Sequence, residues 1–281
     1  MPCLHALPAD QLPLLRTLLP SAHADDCPAL AYALEAAIAH TAPLTAWVDD
    51  AAHPRLAHLW DGRALHYLLG ARTAANDEAL AQHLTATVRP ALARVAGEEP
   101  PFMLWRVGDP AWCQGEPFAP LGALTAYPRV AYLRPPASPV PQPTLPAGYR
   151  LVAIDAALLA DDTLQLDSLR GEIDEVWPSV TAFLAHAWGY GVLWGRELVT
   201  WCTAEELSPG RCGVGIWTHE AHRQRGLATA AVAAFAARCA RQGCTALWDA
   251  WAVNAPSRRT AEGLGWALRD SYTVWVGQAS A

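Results

Sequence analysis

The sequence predicts a mixed α/β fold in two halves, and three observations carry that prediction. A strand ending at Thr218 runs through a short polar loop into a helix that opens at Gly226. The segment 134–148, "RPPASPVPQPTLPAG", holds six prolines and almost no large apolar residues, the composition of an extended, stiff linker. The residues before it read as two helices, three strands, a helix and further strands, a complete α/β run of their own. The expected domains are therefore 1–133 and 149–281, joined by a linker over 134–148.

Composition bounds the partners. With 281 residues, the chain can build a core in each of two ordinary domains. Charged residues are sparse and the formal charge is −7, so a basic nucleic-acid footprint is missing. No apolar run approaches the ~20 residues of a membrane helix. The start "MPCLHALPADQ" lacks the charged-then-apolar build of a signal peptide. A cytoplasmic monomer or homodimer with no nucleic-acid or membrane partner is expected. All 20 basic residues are arginine, which excludes a lysine nucleophile or Schiff base. Seven cysteines without regular spacing read as free thiols rather than a disulfide framework. Cys239 and Cys244 are too far apart for a CxxC pair and the ten histidines are scattered, so no metal site is expected.

In the first half, Leu12, Leu15, Leu18 and Leu19 stripe one helix up to Pro20. Asp25, Asp26 and Pro28 open a second that carries Leu30, Leu34 and Ile38. The strands "LTAWV", "RLAHLW" and "ALHYLL" follow, the last two joined at Asp61-Gly62, a pair suited to a two-residue type I′ hairpin. Asn76 with Asp77 and Glu78 is expected to cap a helix that runs through Val95 to a stop at Gly97, with a kink at Pro90. "PFMLWRV" and "RVAYL" supply two more strands.

In the second half, "YRLVAI" is a strand, Asp161 to Glu175 is helical, and Ser179 caps a short helix containing Phe183, Leu184 and Trp188. "GVLWG" and "ELVTWCTA" turn at Gly195-Arg196, and after the loop "LSPGR" comes a strand from Cys212 to Thr218. The helix from Gly226 places Ala228, Ala231, Val232, Phe235 and Cys239 on one face, carries Arg238 and Arg241 in its last turn and stops at Gly243. A glycine-started helix leaves N–H groups pointing out at the positive end of its dipole, an arrangement that holds phosphate.

The run Arg223-Gln224-Arg225-Gly226-Leu227-Ala228-Thr229, followed by Asn254-Ala255-Pro256-Ser257 and by Ala261, Leu264, Gly265 and Trp266, resembles the GCN5-related N-acetyltransferase (GNAT) superfamily. The likeness extends over Gly148 to Val276 and is nearest to the subgroup containing zwittermicin-type resistance acetyltransferases. It implies a GNAT-like fold, with acetyl-coenzyme A as co-substrate and the amine of a small molecule as acceptor. It also implies that the central strand and its parallel neighbour splay apart, so that Ile216 and Thr218 offer backbone groups to the pantetheine arm. The diphosphate would then rest on the N–H groups from Gln224 to Thr229, with Arg223 and Arg225 adding charge. Asn254 and Ser257 resemble the family's contacts to the cofactor arm, and local capping is the other reading of both.

The acid and base are harder to place. Many family members carry a tyrosine on the last helix where this chain has Ala261, and relatives in the subgroup often carry acidic residues on the central strand where it has Gly213, Gly215 and Trp217. Asp249 and Tyr272 remain as candidates for proton transfer. Asp249, between Trp248 and Trp251, reads either as a base or as a structural carboxylate. Trp201 and Trp217 read as core or as a cation-binding wall. No phosphate loop precedes the helix at Asn76, and the tip 71–75 has no glycine. The first half is thus either a degenerate copy of the second, giving a tandem GNAT-like protein, or an unrelated α+β domain. A coenzyme A-binding pseudoenzyme acting as sensor or scaffold is the alternative to catalysis.

Overall fold

The computed structural model describes residues 4–20, 27–95 and 102–278. Asp25, Asp26 and Gly97, expected as helix signals, lie outside these residues. The chain forms two compact units, one of 1–130 with 251–253 and 269–281, the other of 131–250 with 254–268. Among the described residues, no helix is long and apolar enough to cross a membrane.

The first unit opens with β1 (His5–Leu7), after which the leucine stripe forms a 3-10 helix, Ala9–Leu18, with Pro13 inside it and Leu12 and Leu15 buried. Helix α1 (Pro28–Ile38) starts on its proline and is buried along most of its length. Strands β2 (Thr45–Val48), β3 (Ala57–Trp60) and β4 (Leu65–Leu69) form an antiparallel meander. The β3–β4 connection is four residues rather than the expected two, because Asp61 Oδ1 accepts the N–H groups of both Arg63 and Leu65 and widens the turn.

Helix α2 (Ala74–His83) is capped by Thr73, whose hydroxyl accepts the Asn76 N–H; Asn76 itself donates to Ala71 O instead of capping. The kink expected at Pro90 is spread over a π turn, Leu84–Val88, in which the Arg89 N–H reaches back to Leu84 O before α3 (Arg89–Val95). β5 (Phe102–Val107) pairs parallel with β4, and β6 (Thr125–Arg134) follows.

Three histidines form a chain inside this unit. His58 Nδ1 lies 2.9 Å from His83 Nε2, and His58 Nε2 lies 3.0 Å from His66 Nδ1. All three are fully buried. His66 stacks between Trp60 and Trp105, and His58 between Trp47 and Trp105. Burial holds His66 down to about 3 and His83 to about 4, and, with help from both neighbours, holds His58 well below the ordinary imidazole range.

The second unit is built on β7 (Tyr149–Ala153), β8 (Gly189–Trp194), β9 (Glu197–Ser208), β10 (Arg211–Thr218) and β11 (Thr245–Trp251). Neighbours run antiparallel from β7 to β10, and β10 runs parallel to β11. Strand β9 runs into the expected "LSPGR" loop as far as Ser208, leaving Pro209-Gly210 as the turn before β10. The register with β10 steps between Arg211↔Ser208 and Gly213↔Glu205, a bulge next to which Glu206 takes a φ of +42°.

The helices are α4 (Ala156–Leu159), α5 (Asp167–Val176), α6 (Val180–His186, capped by Ser179 as expected), α7 (Leu227–Gln242) and α8 (Ala255–Gly263). Leu169, Ile173 and Phe183 of α5 and α6 pack on the sheet face that shows Trp201 and Trp217. The opposite face shows Cys212, which meets Cys239 of α7 at 3.5 Å. The proline-rich segment is held at its start: Arg134, 1% exposed, donates to Leu264 O, Ser138 O and Pro139 O. The last strand, β12 (Ala267–Gln278), pairs antiparallel with β5 of the first unit from Val274↔Arg106 to Gln278↔Phe102.

The histidine chain sets a pH window for stability. The folded chain keeps these imidazoles neutral, while the unfolded chain protonates them near pH ~6.5. Below that pH the unfolded state therefore holds more protons, and their contribution, complete above pH ~6.5, is lost as pH falls toward 4. Three such groups change stability by ~4 kcal/mol per pH unit inside the window. The urea midpoint is expected to be level above pH 7 and to fall steeply below pH 6. His66→Phe, which keeps a ring between Trp60 and Trp105, should reduce that steepness by about a third.

Candidate active site

The site begins where two strands part. β10 and β11 pair at Arg211↔Thr245, Cys212↔Ala246 and Gly213↔Leu247, with no further pair between them. β10 nevertheless stays straight to Thr218, because β9 holds it through Gly215↔Thr203, Ile216↔Cys202, Trp217↔Trp201 and Thr218↔Thr200. The edge of β10 that would face β11 is thus open from Val214 onward, with backbone groups to offer.

The chain leaves β10 through His219, whose Nδ1 accepts the Ala221 N–H and starts one 3-10 turn, Glu220–His222. Gln224 (φ +61°) and Gly226 (φ +74°) both take the left-handed conformation, which turns successive N–H groups to one side. α7 then starts without a side-chain cap and without an acidic residue in its first turn, so the N–H groups of Leu227, Ala228 and Thr229 have no helical acceptor. Helix α2 of the first unit differs on both counts, having Thr73 as cap and Asp77 in its first turn.

A cleft of about 750 Å³ follows this edge and loop. Of the residues expected to hold the cofactor, Ile216, Thr218, Arg223, Gln224, Gly226, Leu227, Ala228, Thr229, Asn254 and Ser257 line it. Arg225 does not; it is exposed and donates to Ala221 O at 3.3 Å. Arg223 donates to Thr218 O and Arg259 adds a second positive charge, while no carboxylate is among the described lining residues. The sequence reading missed Arg259, Thr260 and the cleft role of Trp248. Their only signal was position, since Trp248 precedes Asp249 and Arg259 lies one turn after Pro256.

Asn254 and Ser257 take the capping role and also line the cleft. Asn254 Oδ1 accepts the Ser257 N–H and caps α8, and Ser257 Oγ accepts Trp248 Nε1–H at 3.0 Å. Tyr132 OH, donating to Glu262 and accepting from Arg258 Nε, fixes the outer side of α8.

The proton-transfer candidates separate. The register Gly213↔Leu247 and the alternation of side chains put half-buried Asp249 on the same sheet face as Gly213 and Gly215, outside the cleft lining. Tyr272 belongs to the first unit, where it lines a separate cleft of about 310 Å³ with Cys27, Cys113 and Asp270. Trp201 and Trp217 stack with centroids 6.3 Å apart.

Two of the scattered histidines come together. His219, His222 and Glu197 bring ligand-type atoms within 4.8 Å of one another, with His219 Nε2 3.9 Å from Glu197 Oε1. Because His219 Nδ1 accepts a backbone N–H, its neutral ring carries the proton on Nε2, the nitrogen that faces Glu197. The three side chains thus form a histidine–carboxylate group with metal-ligand spacing, which the scattered histidine positions in the sequence did not suggest. His222 in turn meets the Tyr149 hydroxyl at 2.9 Å.

Residues 134–275 match the family model described as GNAT acetyltransferase. Over 131 residues the chain is 31% identical to the uncharacterized N-acetyltransferase YdfB of Bacillus subtilis (strain 168), a match covering 47% of this chain. It spans about half the length of that curated relative, 49%. Among solved structures, a GCN5-related N-acetyltransferase-like protein from Streptococcus suis superposes with a TM-score of 0.58 at 20% identity, covering 84% of this chain and 88% of that one. A tandem GNAT protein from the clavulanic acid biosynthesis pathway superposes with a TM-score of 0.57 at 17% identity over 99% and 98% of the two chains. At these identities the superpositions show the fold. The chain belongs to the GNAT acetyltransferase family, and its mixed α/β architecture is matched along its length by a tandem member.

Gly226 is the position that tests the loop. A Cβ there meets nothing within 4 Å, so the penalty of a side chain is the left-handed backbone alone, ~1–2 kcal/mol. Gly226→Glu is expected to abolish acetyl-coenzyme A binding by calorimetry, through a carboxylate set against the phosphates, while the melting temperature falls by only a few degrees. Unchanged affinity would remove this loop from the binding site.

Proposed function

We propose that this GNAT acetyltransferase moves an acetyl group from acetyl-coenzyme A to the amine of a small molecule, and that it stands nearest to the zwittermicin-resistance type. One observation carries the reading: the gap between β10 and β11 opens onto an uncapped helix start in an arginine-bearing cleft free of carboxylates among its described lining. A diphosphate fits that end because outward N–H groups and Arg223 stabilise its charge without reorganising. An extended arm fits the open edge at Ile216 and Thr218, where it can pair as a strand would. Asn254, Ser257 and Trp248 close the other bank. The residues present thus suit the co-substrate they would hold.

In the same proposal, 149–281 is the acetyltransferase domain, 134–148 the linker and 1–133 a degenerate GNAT-like domain. Thr73 and Asp77 support this last assignment, since a satisfied and negatively charged helix start repels phosphate. Calorimetry should give one acetyl-coenzyme A per chain, and a stoichiometry of two would remove the degenerate assignment.

Transfer to an amine requires that the attacking nitrogen lose protons and that the thiolate gain one. Asp249, on the acceptor-facing side of β11, is the proposed carrier of the proton released from nitrogen during transfer. Thiol release with a panel of amines tests the activity. Asp249→Asn is expected to keep cofactor affinity and lose ~10²–10⁴-fold in turnover. Normal turnover across the whole pH range would take Asp249 out of the mechanism.

A further inference from the structure

At the rim of the cleft, three side chains from two strands and a turn converge. Glu197 opens β9, His219 follows β10 and His222 ends the 3-10 turn, and a ligand-type atom of each lies within 4.8 Å of the other two. Among the described residues, no other group of three histidine, cysteine or acidic side chains comes so close. Their backbones are tied to one another. The His219 N–H donates to Val199 O at 2.8 Å, joining the exit of β10 to β9, and the His222 N–H donates to His219 O at 2.9 Å, closing the turn. Tyr149 of β7 and Glu197 of β9 both pair with Trp194 of β8, so one sheet carries the carboxylate and the tyrosine that meets His222.

The side chains are oriented as ligands are. The Tyr149 hydroxyl lies 2.9 Å from Nδ1 of His222 and leaves Nε2 of that ring to an incoming group. A hydrogen bond on the far nitrogen is what orients a metal-ligating imidazole and fixes its tautomer. The rings of Tyr149 and Trp194 flank His222, and Trp217 meets His219 edge-on at 5.9 Å, so the group has an apolar wall on the protein side. Glu197 has no arginine partner among the described residues; its ionic contact is His219 Nε2 at 3.9 Å. Zinc bonds of ~2.0–2.2 Å in a tetrahedron put neighbouring ligand atoms ~3.4 Å apart, about half an ångström less than that separation. The side chains of His219 and Glu197 are 43% and 36% exposed, so a small rotation of either closes the difference.

We propose that Glu197, His219 and His222 bind a divalent cation of the zinc type, with the fourth position left to water. Two imidazoles select zinc and its transition-metal neighbours over magnesium and calcium, which take oxygen ligands. Once Nε2 of His222 ligates, its Nδ1–H donates to the Tyr149 oxygen. His219 carries the cost. Its Nε2 can ligate only when the ring proton moves to Nδ1, and the 3.2 Å bond that Nδ1 accepts from the Ala221 N–H is then lost. That N–H is exposed, so water takes over as its acceptor. The ligands stand on both sides of the turn from β10 to Gln224, and His222 also lines the cleft, so the ion fixes the approach to α7.

The test uses the full chain, stripped of metal with EDTA, freed of the chelator and titrated with zinc chloride near neutral pH. Calorimetry gives the stoichiometry, and NMR follows the backbone amides and imidazole rings in parallel. One zinc per chain is expected, with the Ala221 amide and the ring signals of His219 and His222 moving together as the ion enters. Tyr149→Phe should weaken binding ~10-fold by freeing the His222 ring, and Glu197→Gln and His222→Gln should each weaken it further. His53→Gln, at an exposed histidine elsewhere, should leave it unchanged. Should a variant fail to fold, the NMR signals of the unaltered chain decide. Zinc that binds without moving the Ala221 amide, or that binds a folded His222→Gln variant as tightly as before, is held adventitiously by another histidine and overturns the proposal. The absence of saturable binding overturns it as well.

Discussion

The site depends on one constraint, that β10 is held straight by β9 while it loses β11. A parallel pair gains slanted, evenly spaced hydrogen bonds that are individually modest, so the pairing can end after Gly213↔Leu247 without unravelling either strand. The antiparallel register with β9 continues to Thr218 and keeps the open edge rigid. The open edge, the left-handed turn at Gln224 and Gly226, and the bare start of α7 then follow one another along the chain, so that a single divergence lines up an unpaired strand edge and an uncapped helix start.

Charge is arranged locally rather than globally. The chain is acidic overall, at −7, yet the cleft lining shows Arg223 and Arg259 and, among its described residues, no carboxylate. On the face of the sheet covered by α5, Glu205 fills the room left by Gly213 and Gly215, and burial pushes the Glu172 carboxyl of α5 up.

Much of this was legible in the sequence because it is local. The helix from Leu227 to Gln242, its glycine at either end, and the loop before it are set by residues within one turn of each other, and the structure keeps them as read. What escaped the reading depends on neighbours far along the chain. Asn76 looks like a cap, but Thr73 is placed to take that role. Asp61-Gly62 looks like a tight hairpin, but Asp61 uses its carboxylate to gather two N–H groups and widens the turn. The histidines at 58, 66 and 83 look scattered and become one chain only because β3, β4 and α2 meet. Tyr272 reads as a candidate for proton transfer and yet belongs to the first unit, since β12 pairs with β5. The two glycines of β10 read as missing acids because their consequence appears on another strand, beyond the reach of sequence spacing.

Those glycines tie two positions into one inherited choice. Gly215 and the Glu205 carboxylate claim the same volume, so a side chain at 215 would turn the Glu205 carboxylate aside from where it now lies. Shortening residue 205 leaves a hole beside the two glycines on the α5 face, and enlarging residue 215 displaces the carboxylate, so the two positions are coupled through packing whatever chemistry either performs.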